Sequence, residues 1–395
     1  MVYLDYHATT PVATEVLQAM LPYFRELFAN PGSVTHRMGR EVAMVVDQHV
    51  AMIAHALGAS DEEIVITSGA TESNNLALFG YCLHPRQQRR KIVSVVTEHR
   101  AILDPLQRLE RSGFEVVMLP VEDQTGTCPG RIILEQALER IDSSTALVTM
   151  MLANNEIGVV QPLTAIAERC HEVGAVLHTD ATQAVGRIPI DVDLLDVDLL
   201  SFSAHKIYGP KGVGGLFVRR RNRRIRLQPQ IVGGGQQQNL RSGTLNVPGI
   251  VGLARAMQLV TEEMDTEVAR QRQLRDHLWH LLSSQLDFVQ LNGPPLEHHA
   301  PGIDRRLANN LNCCFYPVEG QSLLLEIPDL AVSSGSACTS AHPEPSHVLQ
   351  AIGLSEDRAR SSLRFGLGRD TTMADIETAA QWLVDAALRL RQLTS

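Results

Sequence analysis

The segment that decides the fold of this chain spans residues 200–218 and reads LSFSAHKIYGPKGVGGLFV. An apolar run precedes a polar turn that is rich in glycine and proline, and a second apolar run follows, so the pattern predicts strand, turn and strand. Lys206 stands where the first strand ends, a place where burial and hydrogen bonding can hold an amine ready for covalent chemistry. The ordinary alternative is a solvated lysine in a hairpin, and the rest of the chain has to decide between the two.

On both sides of this segment the chain alternates short apolar runs with helical stretches. Because the apolar runs are continuous rather than alternating with polar residues, both of their faces are expected to be buried. We therefore predict an α/β fold whose large domain has a mainly parallel sheet flanked by helices. The predicted strands are 64–67, 92–96, 116–119, 147–151, 176–178 and 199–202, and the helices between them include 103–110, 132–141 and 163–172.

The two ends of the chain carry further elements. Apolar spacing predicts helices over 14–28 and 37–57, and a helical region over 247–282 that is long enough to join one domain to the next. A strand at 310–315, a helix at 321–327, a strand at 363–365 and a helix at 373–390 follow, the last after a Thr372 to Asp375 capping box. These elements predict a large domain over 14–260 and a smaller α+β domain made of 1–13 and 261–395.

Composition narrows the class of protein. A net charge of -9 argues against a general nucleic-acid binder, because phosphate binding relies on clustered Lys and Arg. No window has the apolar length of a membrane span, and Asp5 and His7 stand where a signal peptide would need a basic and then apolar run. The six cysteines form no CxxC pair, so neither a disulfide framework nor a metal site is predicted. We expect a cytoplasmic protein that binds neither membrane nor, stably, nucleic acid.

Polar side chains follow five of the predicted strands, at the point where each strand ends. In a parallel sheet, ligands bind beyond the carboxyl ends of the strands, so these side chains are expected to line one pocket. The residues that we single out there are Ala70, Thr71, His99, Asn155, Asp180, Gln183, Ser203, His205 and Lys206.

Several of these residues are the parts that a pyridoxal phosphate site requires. A turn at 69–71 between strand and helix offers free backbone N–H groups to a phosphate, although this signal alone is weak. Asp180 can pair with a protonated ring nitrogen, His99 presents a flat imidazole, and Lys206 can bind the cofactor covalently. Taken singly, Ser203 and His205 could cap the turn, Asn155 could satisfy loop backbone, and Gln183 could be a packing residue.

Five motifs together resemble the NifS/IscS-like cysteine desulfurases of the class-V aminotransferase family. They are DATQ at 180–183, SAHK at 203–206, RSGT at 241–244, SSGSACTS at 333–340 and LRF at 363–365. The resemblance runs from Leu4 and Asp5 to the last helix, with the motifs in matching order. It implies a fold-type I pyridoxal-phosphate-dependent transferase that forms a homodimer, with both active sites near the subunit interface.

The resemblance also implies a role for each site residue. Lys206 is expected to bind the cofactor, Asp180 to pair with its pyridine nitrogen, His99 to stack on its ring and Gln183 to meet the ring hydroxyl. The phosphate is expected to lie against Ala70, Thr71, Ser203 and His205 of one subunit and Thr244 of the other. Arg364 is expected to bind the substrate carboxylate, helped by Asn155, because a guanidinium matches a planar anion in a bidentate way.

Cys338 is the second expected chemical centre. It lies in a Ser/Gly/Ala-rich loop bounded by Pro343 and Pro345, and such loops can carry a nucleophile to a partner. The other cysteines differ in their surroundings: Cys128 stands in a Gly/Pro-rich loop and is interpreted as incidental, whereas four have apolar or helical neighbours and are expected in the core, namely Cys82, Cys170, Cys313 and Cys314.

The implied reaction converts L-cysteine to L-alanine. Lys206 takes the Cα proton, His99 relays protons, and the Cys338 thiolate attacks the substrate sulfur to form a persulfide. The sulfur then passes to an acceptor protein, in iron–sulfur cluster assembly or in a thiolation pathway. The rival functions are a selenocysteine lyase or another C–S lyase of the same fold, an aminotransferase, and a sulfur-relay scaffold without activity of its own.

Three features depart from the expected pattern or stand outside it. His7 occupies a position where a small residue is expected, so the entrance lining is expected to differ. The chain stops soon after its last helix, without the tail that docks the scaffold protein in housekeeping members, which leaves the acceptor open. A basic run at 219–226 favours a solvated edge strand defended by charge, with a docking patch for an acidic partner, or less readily RNA, as the alternative.

Overall fold

The computed structural model of the chain describes residues 1–296, 305–334 and 344–394. Its strands are β1 (Val2–Tyr3), β2 (Ile64–Thr67), β3 (Lys91–Val95), β4 (Glu115–Leu119), β5 (Thr145–Thr149), β6 (Val176–Asp180), β7 (Leu199–Ser203), β8 (Gly214–Val218), β9 (Gln290–Leu291), β10 (Asn310–Cys314), β11 (Leu330–Ala331), β12 (Ser333–Ser334) and β13 (Ser362–Gly366).

The helices enclose these strands. They are α1 (Thr14–Met20), α2 (Pro22–Arg25), α3 (Arg37–Ala56), α4 (Ala70–Cys82), α5 (Arg100–Arg111), α6 (Leu134–Arg140), α7 (Leu163–Val173), α8 (Val247–Glu262), α9 (Met264–Gln285), α10 (Gly320–Glu326), α11 (His347–Ala351), α12 (Glu356–Arg360) and α13 (Met373–Thr394), with 3-10 turns at Asp61–Glu63, Ala204–Lys206 and Gln237–Asn239. Within the described ranges, no helix is both long enough and apolar enough to cross a membrane.

The large sheet has the strand order β2-β8-β7-β6-β5-β3-β4. The pairs from β7 to β4 are parallel, and β8 runs antiparallel to both β7 and β2. Strand β2 therefore points the same way as β7, and its carboxyl end lies at the same edge of the sheet. The predicted mainly parallel sheet is confirmed, and one edge collects the carboxyl ends of six strands, among them the five that are followed by the predicted polar side chains.

The apolar strand sequences bury both faces of this sheet. In β3, Ile92 belongs to the core cluster packed by α4 and α5, whereas Val93 belongs to the cluster packed by α3, α7 and α8 on the other face. Successive side chains of a strand point to opposite faces, so a continuous apolar run suits a sheet covered on both sides. Strand β4 lies at the edge, and its first four residues are only partly buried or exposed.

A second, antiparallel sheet with the order β12-β13-β10-β9 lies against α9 and α13. Its core is a separate apolar cluster that includes Leu278, Leu311 and Phe365. Val2 and Leu4 of the N-terminal segment belong to this cluster, and the backbone of the segment then meets β13, where Gly366 N donates to Leu4 O at 2.7 Å. The segment thus leads from the smaller core to the edge of the large sheet.

Most predicted elements occur within a few residues of their expected bounds, but one helix was wrong. The stretch 14–28 is divided between α1 and α2, since Pro22 begins a new helix. The helical region 247–282 is confirmed and consists of two helices, which meet at Glu263. The capping box is confirmed, because Asp375 N donates to Thr372 Oγ1 at 3.1 Å and Thr372 N donates to Asp375 Oδ2 at 2.9 Å. The short strands β1, β9, β11 and β12 and helices α11 and α12 were not predicted.

Candidate active site

A cavity of about 1180 Å³ opens at the edge where the five strands end. The residues that the sequence singled out arrive there from different elements, as the parallel arrangement requires. Those that line it are Ala70, Thr71, His99, Asn155, Asp180, Gln183, Ser203, His205, Lys206 and Arg364. Thr244 does not line it: it is exposed elsewhere on its own chain. Cys338 lies outside the described residues.

Lys206 ends the 3-10 turn that follows β7. Its Nζ donates to two backbone carbonyls of the N-terminal segment, His7 O at 2.6 Å and Ala8 O at 2.7 Å. Burial, followed by the positive charges of Arg364 and Arg187, lowers the pKa of this amine to about 7. The amine therefore has an appreciable neutral, nucleophilic fraction near neutral pH, which the solvated-hairpin alternative does not give.

Asp180 is the last residue of β6 and supplies a buried acceptor at the cavity wall. Its Oδ2 accepts from Asn74 Nδ2 at 2.8 Å, and its Oδ1 accepts from Thr182 N at 2.9 Å. The neighbouring carboxyl group of Glu98 is fully buried, and burial together with the Asp180 charge raises its pKa well above the usual range. The neutral form of Glu98 is therefore favoured beside the carboxyl group of Asp180.

His99 caps α5 with its ring. Nδ1 accepts from Ala101 N at 3.0 Å, and burial is the main cause that lowers the pKa of the imidazole. A neutral ring that accepts at Nδ1 carries its proton at Nε2. His99 is thereby a proton donor of fixed orientation at the cavity wall.

The turn between β2 and α4 forms a cradle for an anion. Gly69 has φ of 148°, a conformation that suits glycine, and Ala70 begins a helix of 13 residues. The neighbouring Ser203 and His205 come from the end of β7, and His205 Nδ1 lies 3.2 Å from Thr9 Oγ1. Burial, followed by the charges of Lys206 and Lys211, lowers the pKa of His205 to about 4, so this ring is neutral.

Arg364 reaches the cavity from the middle of β13, although its residue is only 3% exposed. Nη2 donates to Asp5 Oδ1 at 2.9 Å and Nη1 donates to Asn155 O at 3.2 Å. The Nε atom is buried and has no hydrogen-bond partner among the described residues. The expected proximity of Arg364 and Asn155 is confirmed, but the contact uses the backbone oxygen of Asn155.

The residues at the cavity fit pyridoxal phosphate. A covalent anchor, a carboxylate and a helix N-terminus with hydroxyl neighbours lie around one space. Two polar atoms of residues that line it, Thr182 Oγ1 and Arg364 Nε, are buried without a partner among the described residues, as is Asn74 Oδ1 of the amide that donates to Asp180. Buried polar atoms are nearly always hydrogen-bonded, so such orphans mark places where a polar ligand belongs.

Two residues of this site, Asp5 and Arg187, escaped the sequence analysis, and a third, His7, was noted only as a departure at the entrance. His7 contacts Gln183, Asp5 pairs with Arg364, and Arg187 donates to the carbonyls of Gln183 and Lys206 at 3.0 and 3.1 Å. The contacts of His7 and Asp5 join residues that are 176 and 359 positions apart, so no local spacing predicts them. Arg187 stands only four residues after Gln183, and the clue available was a lone arginine among apolar neighbours.

The cysteines in the described ranges are all buried, free thiols. The prediction for Cys82, Cys170, Cys313 and Cys314 is confirmed, but the interpretation of Cys128 as an incidental loop residue is wrong, because it is 1% exposed and belongs to a core cluster. Burial raises the pKa of all five, that of Cys82 to about 12. Thiols of this kind are weak nucleophiles at neutral pH.

The basic run at 219–226 is not a solvated edge strand. It follows β8, which is an interior strand, and Arg219 is 2% exposed with its guanidinium 2.7 Å from Asp193 Oδ1. Arg221 pairs with Glu63 at 3.0 Å, and Arg223 pairs with Asp198 at the same distance. Alternate arginines thus tie this segment to carboxylates, of which those of Glu63 and Asp198 are buried. Of the arginines in this run, only Arg224 and Arg226 are exposed, and docking of a partner there stays a prediction.

Comparison with known proteins agrees with the chemistry of this site. The family described as aminotransferase class-V matches residues 2–378. A protein named cysteine desulfurase IscS from Anaeromyxobacter dehalogenans is 47% identical over 393 residues, covering 100% of this chain and 94% of the relative.

Solved structures are similar over nearly the whole length. A NifS-like protein has a TM-score of 0.89 and 34% identity, covering 98% of this chain and 100% of that one. The structure of SspA in complex with cysteine has a TM-score of 0.77 and 35% identity, covering 93% of this chain and 99% of that one.

Proposed function

This chain belongs to the class-V aminotransferase family and is a pyridoxal-phosphate-dependent cysteine desulfurase, and we propose that Lys206 and Cys338 divide its chemistry between them. Lys206 holds the cofactor and moves a proton, and Cys338 receives the sulfur. The observation that carries this division is the buried Lys206 amine, whose pKa of about 7 makes it a base near neutral pH while the described thiols are held in their inert form.

The cofactor would be held by residues that line the cavity. Asp180 would pair with its ring nitrogen, His99 and Gln183 would lie beside its ring, and the α4 N-terminus would receive its phosphate at Ala70 and Thr71, with Ser203 and His205 nearby. When bound, pyridoxal phosphate supplies an electron sink for the carbanion that forms at Cα of the substrate. The buried carboxyl group of Asp180, held by Asn74 and Thr182, is what this chain would contribute to that sink.

With the cofactor bound and joined to the substrate amine, Lys206 would be a free base in a buried site. The two carbonyls of His7 and Ala8 hold Nζ within 2.7 Å, so the amine is kept beside the cavity rather than in solvent. It takes the proton from Cα of L-cysteine. His99, which carries its proton at Nε2, returns a proton to the substrate carbon after sulfur has left.

Arg364 orients the substrate. A carboxylate that binds its guanidinium can use the unpartnered Nε, while Asp5 continues to hold Nη2. The Asp5 partner fixes the plane of the guanidinium before substrate arrives, which lowers the entropic cost of binding. Asn155 lies at the same wall and is proposed to contact both the substrate and the cofactor.

Cys338 is proposed as the sulfur acceptor, and the inertness of the other five thiols supports it. As a thiolate, it attacks the substrate sulfur: the C–S bond breaks, an S–S bond forms on Cys338, and the carbon is reduced and protonated to give L-alanine. The persulfide then passes its outer sulfur to an acceptor protein. We propose a partner of iron–sulfur cluster assembly, with a thiolation pathway as the second possibility.

The test of this function is alanine formation from L-cysteine by a Cys338→Ser variant. The variant is expected to bind cofactor normally and to form almost no alanine. Cys314→Ser is the matched control, because its hydroxyl can keep the bond that Cys314 Sγ donates to Arg358 O at 3.4 Å. Undiminished alanine formation by Cys338→Ser would favour the rival, a C–S lyase, and parallel assays with L-selenocysteine would separate a selenocysteine lyase from the rest.

A homodimer is proposed from the surface as well. Several large apolar side chains are exposed along the N-terminal helices and the start of α3: Leu17, Leu21, Phe24, Phe28, Val34 and Met44. Such clustered apolar exposure is typical of an interaction surface. In a dimer, Thr244 would reach the phosphate site of the other subunit, and light scattering should give twice the mass of one chain.

The cytoplasm is the proposed compartment. The five described cysteines are free thiols, which suits a reducing environment. Fractionation of cells that express the chain would test this placement.

A further inference from the structure

His7 is a buried side chain that the proposed mechanism leaves unused. It lies in the N-terminal segment between β1 and α1 and is 1% exposed. Its Nδ1 is 3.0 Å from Gln183 Oε1, and its Nε2 is 3.2 Å from Asn310 Nδ2. The imidazole thus links the large sheet, through Gln183, to strand β10 of the smaller one.

The partners of His7 fix its tautomer. Gln183 Nε2 donates to His7 O at 3.0 Å, so the other amide atom, Oε1, is the acceptor that faces Nδ1. Nδ1 must then carry the proton, and Nε2 must accept from Asn310. The Asn310 amide agrees with this assignment, because its Nδ2 also donates to Glu156 O at 3.0 Å and its Oδ1 accepts from Arg306 Nε at 3.3 Å. Rotating the side-chain amide of Gln183 or of Asn310 by 180° would place one hydrogen-bond donor against another.

The surroundings keep this arrangement in one protonation state. Burial lowers the pKa of His7 well below its usual range, and Arg187, Arg364 and Lys206 lower it further, while the bond with Gln183 acts the other way. A neutral imidazole has one N–H group, and in His7 this group donates to Gln183 Oε1.

Gly366 provides the space for the ring. A Cβ at this position of β13 would lie 2.7 Å from His7 N and 2.8 Å from His7 Cδ2, both closer than atoms in contact can stand. The His7 imidazole can occupy this place because residue 366 is a glycine and has no side chain.

We propose that His7 is a positioning residue that locks the Gln183 amide with its nitrogen, not its oxygen, available to the oxygen atom on the cofactor ring. This inference rests on the proposed function. One hydrogen of Gln183 Nε2 is used by His7 O, which leaves the second for the cavity that Gln183 lines. A donor there stabilises a negatively charged ring oxygen, whereas a reversed amide would set its own oxygen against that charge.

The test compares His7→Asn with His7→Gln. An asparagine amide can place its N–H where Nδ1 stands and donate to Gln183, whereas a glutamine amide reaches the Nε2 position and cannot. The measurements are the dissociation constant of pyridoxal phosphate from the apoenzyme, the pH midpoint of the visible absorbance of the bound cofactor, and the melting temperature of each apoenzyme.

His7→Asn is expected to keep the dissociation constant within about twofold of the wild type. His7→Gln and His7→Ala are expected to weaken binding about tenfold, the equivalent of one hydrogen bond, and to raise the pH midpoint by about one unit. His55→Ala, an exposed change on α3, controls for the loss of a histidine.

Equal dissociation constants and midpoints for the Asn and Gln variants would overturn the inference, as would a His7→Ala variant that matches the wild type. If His7→Ala fails to fold, the Asn and Gln pair decides alone. A wild-type protein that captures no cofactor would instead overturn the proposed function, so the two failures are distinguishable.

Discussion

Burial acts in opposite directions on the two kinds of nucleophile in this protein. At the cavity, Lys206 is buried against backbone carbonyls, and burial lowers the pKa of its amine to about 7. In the cores, five cysteines are buried among apolar side chains, and burial raises the pKa of Cys82 to about 12. Removing a group from water disfavours its charged form, which for an amine is the inert form and for a thiol is the reactive one.

The difference teaches where each reactive group can stand. A lysine base can be built into a buried wall, because desolvation itself activates it. A thiol nucleophile cannot, unless a positive neighbour offsets the desolvation. The chain therefore keeps its base just after a strand end, and the sulfur acceptor is expected outside the buried cores, which agrees with the prediction from sequence that Cys338 belongs to a loop.

The largest effect is expected from Lys206→Ala, which removes the activated amine. Desulfuration should fall by about 10³-fold or more, and the visible absorbance of the lysine-bound cofactor should be lost. Lys211→Ala is the control, because Lys211 is exposed and should retain that absorbance. Cofactor absorbance that survives in Lys206→Ala and disappears in Lys211→Ala would show that Lys211, and not Lys206, binds the cofactor.

A smaller effect is expected from Arg364→Met. This variant tests a buried side chain that acts as a cation, whereas Lys206 acts as a neutral amine. Arg364 has a carboxylate partner, Asp5, where Lys206 has only carbonyls. Loss of the guanidinium should lower kcat/KM for L-cysteine about 100-fold, equivalent to about 3 kcal/mol. The effect should be absent for binding of cysteamine, which has no carboxylate. An equal loss for both ligands would mean that Arg364 supports the fold rather than the substrate.

The smallest effect is expected from Arg187→Met, which tests how much a neighbouring positive charge lowers the pKa of Lys206. Arg187 is one of two arginines that lower the pKa of the amine, so its removal should raise that pKa above 7. Capture of pyridoxal phosphate by the apoenzyme needs the free amine, and each unit of upward shift lowers the free-amine fraction on the acid side about tenfold. The measurement is the rate of capture against pH.

Arg187→Lys is the matched control for that shift, because it keeps the positive charge. This variant should return the pH midpoint of cofactor capture toward the wild-type value. A midpoint that stays at about 7 in Arg187→Met would show that Arg187 has no part in activating Lys206.

Much of the fold followed from the sequence because its signals are local. The buried strands of the large sheet are continuous apolar runs, and β2 has the predicted bounds. The edges were harder: β1, β9, β11 and β12 have two residues each, too few for a period to appear. The boundary near residue 260 stays a prediction. Val348, Leu349 and Ile352 pack on the large core, although they lie in the predicted small domain.

The site divides in the same way. Residues at strand ends, such as Asp180 and Lys206, could be predicted because the ends of parallel strands meet at one edge. The contacts of Asp5 and His7 join positions that are 359 and 176 residues apart from their partners, so no spacing could predict them. Arg219 shows the opposite error: a charge run was interpreted as a surface, whereas pairing with Asp193 allowed its burial.

The most direct test of the central claim maps sulfur after one turnover. The protein is mixed with one equivalent of L-cysteine that carries isotopically labelled sulfur, alkylated, digested and analysed by mass spectrometry across all six cysteines. The account predicts labelled persulfide on Cys338 and on no other cysteine, with one L-alanine formed for each label. Labelled persulfide on Cys82, Cys128, Cys170, Cys313 or Cys314, or alanine formed with label released only as free sulfide, would contradict it.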